Sequence, residues 1–485
     1  MEKNEVYEIR IEDIGNDGEG IGHADGVAVF VKDAVMGDTV KVKIIKVKKN
    51  YVYGRLLEIV EPSIFRVEPV CEKARACGGC TLQHMSYEKQ LAYKWNKVKN
   101  CLERIGGISN ADGLMEPILG MEHPFSYRNK MQFPVGIGKD GHTELGFYAG
   151  RTHSLIGLSE CAIGHPVNKE IIRVMKEFVE QFHISAYDEK EHRGLLRHVL
   201  TRVGFQTGEL MVCLVINGDS IPHGDVLYDM LEKAVRDFNG SSGKGIEEDE
   251  LPSGMEPKAD LKLELKSLMI NINKDKTNKI LGSKSKPLYG DAYITDYIGD
   301  VAFHISPQSF YQVNPLQTKV LYDKALEYAD LTGNETVWDM YCGIGTISLF
   351  LAKRAKQVYA VEIVPQAIED ARENAKRNGI RNVEFFCGKA EEVVSEIYNA
   401  GKDGAKADVV VVDPPRKGCD EALLKTIIAM APKCMVYVSC DPATLARDLK
   451  YLTAHGFEVQ RVAVVDQFAH STHVESVCLL HRRDL

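Results

Sequence analysis

An α/β chain in three parts is what these 485 residues predict: a C-terminal doubly wound, Rossmann-like sheet, an N-terminal OB-like β-barrel and a central α+β domain. Three observations carry that expectation. The last third alternates buried-strand runs with helical stretches, the first 60 residues alternate β-rich runs with glycine turns, and a hairpin pattern stands in the middle. Composition agrees, because 44% hydrophobic and 27% charged residues can fill several cores, and roughly 150 residues per domain gives about three domains. No apolar run reaches the roughly 18 residues of a membrane span, and the start MEKNEVYEIR lacks the layout of a signal peptide. A cytoplasmic protein is therefore expected. The net charge of -9 argues against a chain uniformly coated for nucleic acid, although local basic surfaces remain open.

The barrel is expected over residues 1–62, where EVYEIRIEDI, GNDGEGIG, VAVFV, DTVKVKIIKVKK and YVYGRLLEIVEP give five strands with glycine corners. Lys41, Lys43, Lys46, Lys48, Lys49 and Arg55 cluster there with no acid among them, and Tyr51 and Tyr53 are interleaved. That pattern suits RNA contact through phosphates and stacking, although alternating lysines also serve simply to keep a solvated strand edge from pairing. Residues 63–306 form the second part. Apolar spacing predicts a helix from Tyr87 to Ile105, ended by Gly106-Gly107, and HVLTRVGFQTGELMVCLVING predicts a hairpin turning near Thr207-Gly208. Residues 241–260 carry six acids against two lysines and read as a solvated surface loop. In 307–485, Asn314-Pro315 caps and opens a helix through Ala329. TVWD, QVYAVE, NVEFF, DVVVVD and CMVYVS then supply the strands of a mainly parallel sheet, which binds ligands beyond its carboxyl ends.

Three constellations fall on that edge, and a fourth follows further along the chain. The first strand runs into Met340-Tyr341-Cys342-Gly343-Ile344-Gly345-Thr346, and Glu362 ends the next strand 17 residues after Gly345. Glycines admit a ligand to the backbone and the acid suits ribose hydroxyls. Ser348 in the third-glycine position disfavours a pyrophosphate, so S-adenosyl-L-methionine fits better. Asp413-Pro414-Pro415-Arg416 departs from the Asp-Pro-Pro-aromatic pattern of amino-group methyltransferases, and its guanidinium suits phosphate or pyrimidine carbonyls. Cys440, after CMVYVS, is a candidate nucleophile whose thiol nearby cations should activate. Glu475, after His470 and His473, is a candidate general base. Thiolate, carboxylate and methyl donor are the minimum set for methylating carbon 5 of uracil, which is a poor nucleophile until a thiolate adds at carbon 6. Elsewhere, Cys71, Cys77 and Cys80 stand within ten residues, with Cys161 81 residues later, a metal pattern that leaves zinc and an iron–sulfur cluster equally open.

With Phe310-Tyr311-Gln312-Val313-Asn314-Pro315, Asp413-Pro414-Pro415-Arg416, Ser439-Cys440-Asp441-Pro442 and His473-Val474-Glu475 in this order, the chain resembles the RNA uracil-5-methyltransferase family, specifically its 23S ribosomal RNA members with a TRAM barrel. The resemblance implies that Cys440 is the nucleophile and Glu475 the base. It also implies that Gln312, Tyr341 and Glu362 bind the donor, that Asp413 contacts the donor or the uracil, and that Phe310 lies near the flipped nucleotides. It implies a structural [4Fe-4S] cluster held by Cys71, Cys77, Cys80 and Cys161. Lys389 departs from the Asn or Asp often found after the fourth strand. RNA, with 23S rRNA favoured, is the implied partner of a monomer without membrane or protein partners. The same reaction on the tRNA T-loop and a catalytically silent RNA-binding protein are the competing expectations.

Overall fold

Alternation of polar and apolar residues closes the first five strands into a barrel of order β1-β2-β3-β5-β4. They are β1 (Val6–Ile14), β2 (Gly20–Ala24), β3 (Val27–Val31), β4 (Thr39–Val47) and β5 (Tyr51–Glu61). Ile9, Ile11, Val29, Val31, Val40, Val42, Ile44 and Val52 fill its core. A Cβ on Gly22 would lie 2.4 Å from the Arg10 carbonyl, so only glycine lets β2 cross β1 so closely. The buried Asp38 carboxylate accepts from the backbone N–H groups of Val35 (2.7 Å) and Ser63 (2.8 Å) and from the Arg66 guanidinium (2.5 Å), tying the barrel to the chain that leaves it.

The computed structural model describes residues 1–150, 152, 154–241, 261–399 and 406–483. These fall into two units, one of Met1–Lys97, Phe147–Ile156 and Phe468–His473, the other of Val98–Gly146, Gly157–Gln467 and Val474–Leu485. The acidic stretch expected as a surface loop lies, from residue 242 to 260, outside the described residues. Helix α1 (Tyr87–Arg104) takes the bounds its apolar spacing implies, and α2 (Ala111–Leu114) is one short turn.

Two seven-stranded sheets follow the barrel in the chain. The first uses β6 (Lys130–Ile137), β7 (Thr143–Tyr148) and β8 (Leu155–Gly157), then, after α3 (Val167–Gln181), the expected hairpin of β9 (Leu196–Val203) and β10 (Glu209–Ile216). After α4 (Gly224–Ser241), β11 (Glu264–Ile272) and β12 (Lys284–Gly290) complete it in the order β12-β11-β10-β9-β6-β7-β8. Gly208, at φ +75°, turns the hairpin. Every residue of β9 is buried, because both faces of the strand are covered. Thr201 on one face donates to Asn168 of α3 at 2.6 Å, while Leu200 on the other joins Met211, Cys213 and Met269 in a core shared with the C-terminal sheet.

A small hairpin, β13 (Ile294–Ile298) and β14 (Val301–Ile305), leads to α5 (Pro315–Ala329). Asn314 caps that helix by accepting from Gln317 N–H at 3.1 Å, as its Asn-Pro start implies. The C-terminal sheet then alternates as expected: β15 (Thr336–Asp339), α6 (Thr346–Ala352), β16 (Gln357–Glu362), α7 (Pro365–Arg377), β17 (Val383–Cys387), α8 (Ala390–Asn399), β18 (Val409–Val412), α9 (Glu421–Met430), β19 (Cys434–Ser439) and α10 (Pro442–Ala454). The expected parallel strands are joined by β20 (Phe457–Val465) and β21 (Glu475–Arg482), which the sequence reading left unassigned. The order is β17-β16-β15-β18-β19-β21-β20, with β21 antiparallel to both neighbours. Strand order reverses between β15 and β18, and that switch point opens the ligand crevice.

Candidate active site

The loop after β15 is shaped from below by Asp339, which the sequence reading passed over. Its fully buried carboxylate accepts from Ser348 Oγ (2.5 Å) and from the Tyr341 N–H (3.3 Å), and burial pushes it up to about 7. Gly343 and Gly345, at φ +54° and +83°, turn the loop, and a Cβ on Gly343 would meet nothing within 4 Å, so the backbone there borders open space. Across it Glu362 ends β16 half-buried, accepting from Gly343 N–H (3.2 Å) and Val364 N–H (2.9 Å). Glycine backbone and acidic rim therefore face one another, as the spacing implies. Lys389, by contrast, is exposed and paired with Glu392 at 2.8 Å.

The Gln312 segment reaches this edge under several anchors. Asn129 donates from its N–H to the Val313 carbonyl and from Nδ2 to the Gln312 carbonyl, at 2.8 and 3.0 Å. Arg202 holds the carbonyls of Pro307 and Ser309, and Tyr311 donates to Asp296 at 3.3 Å. Phe310 is left 72% exposed, an aromatic face open to solvent. None of these anchors has a sequence signal, since each pairs residues more than a dozen positions apart.

Asp413, Cys440 and Glu475 come from three adjacent strands. Asp413 follows β18, Cys440 follows β19, and Glu475 opens β21, one step beyond the paired Ser439 and Ser476. Asp441 caps α10 by accepting from Ala443 and Thr444 N–H at 2.9 and 3.0 Å, which fixes the backbone beside the thiol. Thr444 also donates to the Arg416 carbonyl at 3.2 Å, pinning the loop that follows Asp413. Glu475 is 4% exposed. Burial, reinforced by Asp413 and opposed by Arg416, raises its carboxyl well above the usual range, and burial alone holds Asp413 at about 6. Beneath them, Tyr322 of α5 lies fully buried within electrostatic reach of Asp413, Asp339 and Glu475, with its hydroxyl on Thr346 Oγ1 at 2.9 Å.

Cys440 differs from expectation. Burial, followed by the charges of Glu475 and Asp413, raises its thiol to about 11, and Arg416 offsets this only in part. The carboxylates outweigh the one cation, so the free crevice stores a thiol and not a ready thiolate. Alkylation of Cys440 by iodoacetamide, read by peptide mass spectrometry, should keep rising from about pH 7 to about pH 10, because only the thiolate reacts. Asp413→Asn should move that rise to lower pH by removing a like charge. A plateau below about pH 8 in the parent protein would contradict this electrostatic picture.

Cys71, Cys77 and Cys80 are half-buried thiols of the first unit and Cys161 belongs to the second, with no disulfide among them. Burial raises the Cys77 thiol. An all-sulfur donor set suits iron–sulfur or zinc chemistry, yet among the described residues no three His, Cys, Asp or Glu are gathered as a metal site. On the barrel, Tyr51, Tyr53 and Phe30 form one aromatic patch with ring centroids 5.3 to 5.9 Å apart. Lys46, Lys48 and Lys49 are exposed, while Lys41 is paired with Glu58 at 2.8 Å.

A reversed parallel sheet, a glycine loop facing an acid at its switch point and a cysteine–carboxylate pair beside it define an S-adenosyl-L-methionine-dependent methyltransferase. Comparison with known proteins narrows this. The tRNA (uracil-5-)-methyltransferase family model matches residues 265–483, and the TRAM domain model matches residues 2–57. The chain belongs to the RNA uracil-5-methyltransferase family. A protein of Halalkalibacterium halodurans described as an RNA methyltransferase is 49% identical over 484 residues, covering 100% of this chain and 98% of its own. One of Clostridium tetani, with the same description, is 47% identical over 480 residues, or 99% and 97% of the two chains. Among solved structures, the Pyrococcus abyssi tRNA (uracil-54, C5)-methyltransferase in complex with S-adenosyl-L-homocysteine is 28% identical with a TM-score of 0.74, covering 98% of this chain and 99% of that one.

Proposed function

We propose that this enzyme methylates carbon 5 of a uridine in RNA through a covalent adduct on Cys440. The observation that carries the reading is the meeting of Asp413, Glu475 and Arg416 with Cys440 in one crevice, all three within electrostatic reach of its thiol. The Cys440 thiol gives up its proton to a crevice carboxylate and its sulfur bonds to carbon 6. The carbon 5–carbon 6 π pair then moves toward oxygen 4 as an enolate, for which Arg416 is the available cation. Carbon 5 takes the methyl group from the sulfonium, and the donor leaves as S-adenosyl-L-homocysteine. Glu475 in its ionised form accepts the carbon 5 proton, the double bond re-forms, and the sulfur–carbon bond breaks, the leaving thiolate taking back its proton from Asp413, the carboxylate that received it, while Glu475 passes its own to water. Gln312, Tyr341, Glu362 and Asp413 hold the donor in this reading. The open Phe310 ring suits stacking against a nucleotide whose neighbour has left the helix.

The favoured substrate is 23S rRNA, on the family pattern of a transferase with a TRAM barrel, acting in the cytoplasm. Among the described residues, no helix is long and apolar enough to cross a membrane. A tRNA T-loop substrate is the second reading. It is favoured by the Pyrococcus abyssi relative, which matches 98% of this chain, so that a barrel does not by itself exclude tRNA. Mapping of 5-methyluridine in rRNA and tRNA, from cells with and without the gene, tests both. Loss from neither RNA would overturn the proposal.

A [4Fe-4S] cluster on Cys71, Cys77, Cys80 and Cys161 completes the reading. Support comes from three half-buried thiols on one loop, and Cys161 rests on the sequence pattern alone. Such a cluster would stiffen the loop, because methyl transfer moves no net electrons. Anaerobically purified protein should be brown with about four irons per chain, and serine at any of the three loop cysteines should lower soluble yield before it alters methylation. Stoichiometric zinc under iron-replete anaerobic conditions would contradict the cluster.

A further inference from the structure

Cations gather on the central sheet where nothing in the mechanism above uses them. Lys130 opens β6 and pairs in register with Arg202 of β9, so the two side chains share a face of the sheet. Along that face the next β9 position is Leu200, in the core shared with the C-terminal sheet. Arg202 is buried, and it uses one nitrogen to hold the carbonyls of Pro307 and Ser309, leaving Nε and Nη1 without a partner. Arg128 and Lys130 are half-buried. Among the described residues, the charges that act on Lys130 are the two guanidiniums of Arg202 and Arg128, and no acid offsets them.

An uncompensated cation cluster is costly. A buried charge ordinarily keeps a counter-charge, and three like charges repel one another in a medium of low dielectric constant. Burial and the two guanidiniums accordingly push the Lys130 ammonium down to about 7. An anion would relieve both penalties at once. The cluster lies behind the segment that carries Phe310 and Gln312, because Arg202 grips two of that segment's carbonyls. A nucleotide drawn into the crevice along Phe310 brings its own phosphates with it.

We propose that Arg128 and Lys130, backed by the buried Arg202, form a subsite for a backbone phosphate of the RNA beside the target nucleotide. The inference rests on the RNA reading above and adds where the strand is gripped. Arg202 is a positioning residue in this account, since it is sealed from solvent and holds the 307–309 backbone.

The test uses the full chain with Arg128→Gln, Lys130→Gln and Lys130→Arg, and measures RNA affinity across a salt series together with S-adenosyl-L-homocysteine affinity. Each glutamine variant should weaken RNA binding by about tenfold at low salt. Each should also reduce the slope of log affinity against log salt by about 0.7 to 1, equally for an RNA with and without the target uridine. Lys130→Arg should keep parent behaviour, and S-adenosyl-L-homocysteine affinity should stay at the parent value in all three. Unchanged RNA affinity and slope in both glutamine variants would overturn the subsite. A loss confined to S-adenosyl-L-homocysteine affinity would also overturn it and assign the cations to the donor's carboxylate. Inorganic phosphate at matched ionic strength should not compete with RNA, and full displacement by it would assign the site to the free anion. A parent protein that neither binds nor methylates RNA would sink the proposed function instead, a failure visible before any variant is made.

Discussion

Cys440→Ala should abolish methyl transfer to RNA, by at least roughly 10^4-fold, while leaving S-adenosyl-L-homocysteine binding nearly intact. In the proposed mechanism the thiolate attacks the uracil and never touches the sulfonium, so the loop of Asp339, Gly343 and Glu362, proposed to hold the donor, should keep its hydrogen bonds in the variant. RNA carrying 5-fluorouridine at the target should trap the parent protein in a covalent complex that survives denaturation, because carbon 5 then has no proton to lose. The alanine variant should form none. An adduct in that variant would move the nucleophile elsewhere, and Cys342 and Cys419, both buried, would be the thiols to examine next.

Glu475→Gln should fail later in the reaction. Addition at carbon 6 and methyl transfer need no acceptor for the carbon 5 proton, whereas release of the product does, so this variant should accumulate methylated RNA still bonded to Cys440. The electrostatics point the same way. Glu475 is one of the charges that raise the Cys440 thiol, and a neutral amide in its place should make the thiolate easier to form. Gel mobility after denaturation and the mass of the trapped complex would reveal the intermediate. Free product at the parent rate would remove Glu475 from the mechanism.

Much of this was legible before any coordinates, for identifiable reasons. Period-two and helical patterns are local, so TVWD, QVYAVE and CMVYVS became β15, β16 and β19 at the positions their residues imply, and Asn314-Pro315 capped its helix. The crevice residues were legible because a parallel sheet presents its strand ends at one edge, which puts Glu362, Asp413 and Cys440 there without knowledge of side-chain packing. What stayed hidden depends on distant pairing. β21 enters between β19 and β20 as an antiparallel strand, and that insertion is what brings Glu475 opposite the Cys440 end of β19. Asp339 is only the last letter of TVWD in the sequence, although its buried carboxylate anchors the loop after β15. The Cys440 shift runs against the activation expected from nearby cations, because the sequence hides that burial and two carboxylates act on the thiol and outweigh Arg416.

The central claim is substitution at carbon 5, and tritium release tests it most directly. RNA transcribed with [5-3H]uridine and incubated with the enzyme and S-adenosyl-L-methionine should release tritium to water in step with methyl incorporation, and only when donor is present. Methyl incorporation without tritium release would place the new methyl group at oxygen or nitrogen and contradict the account.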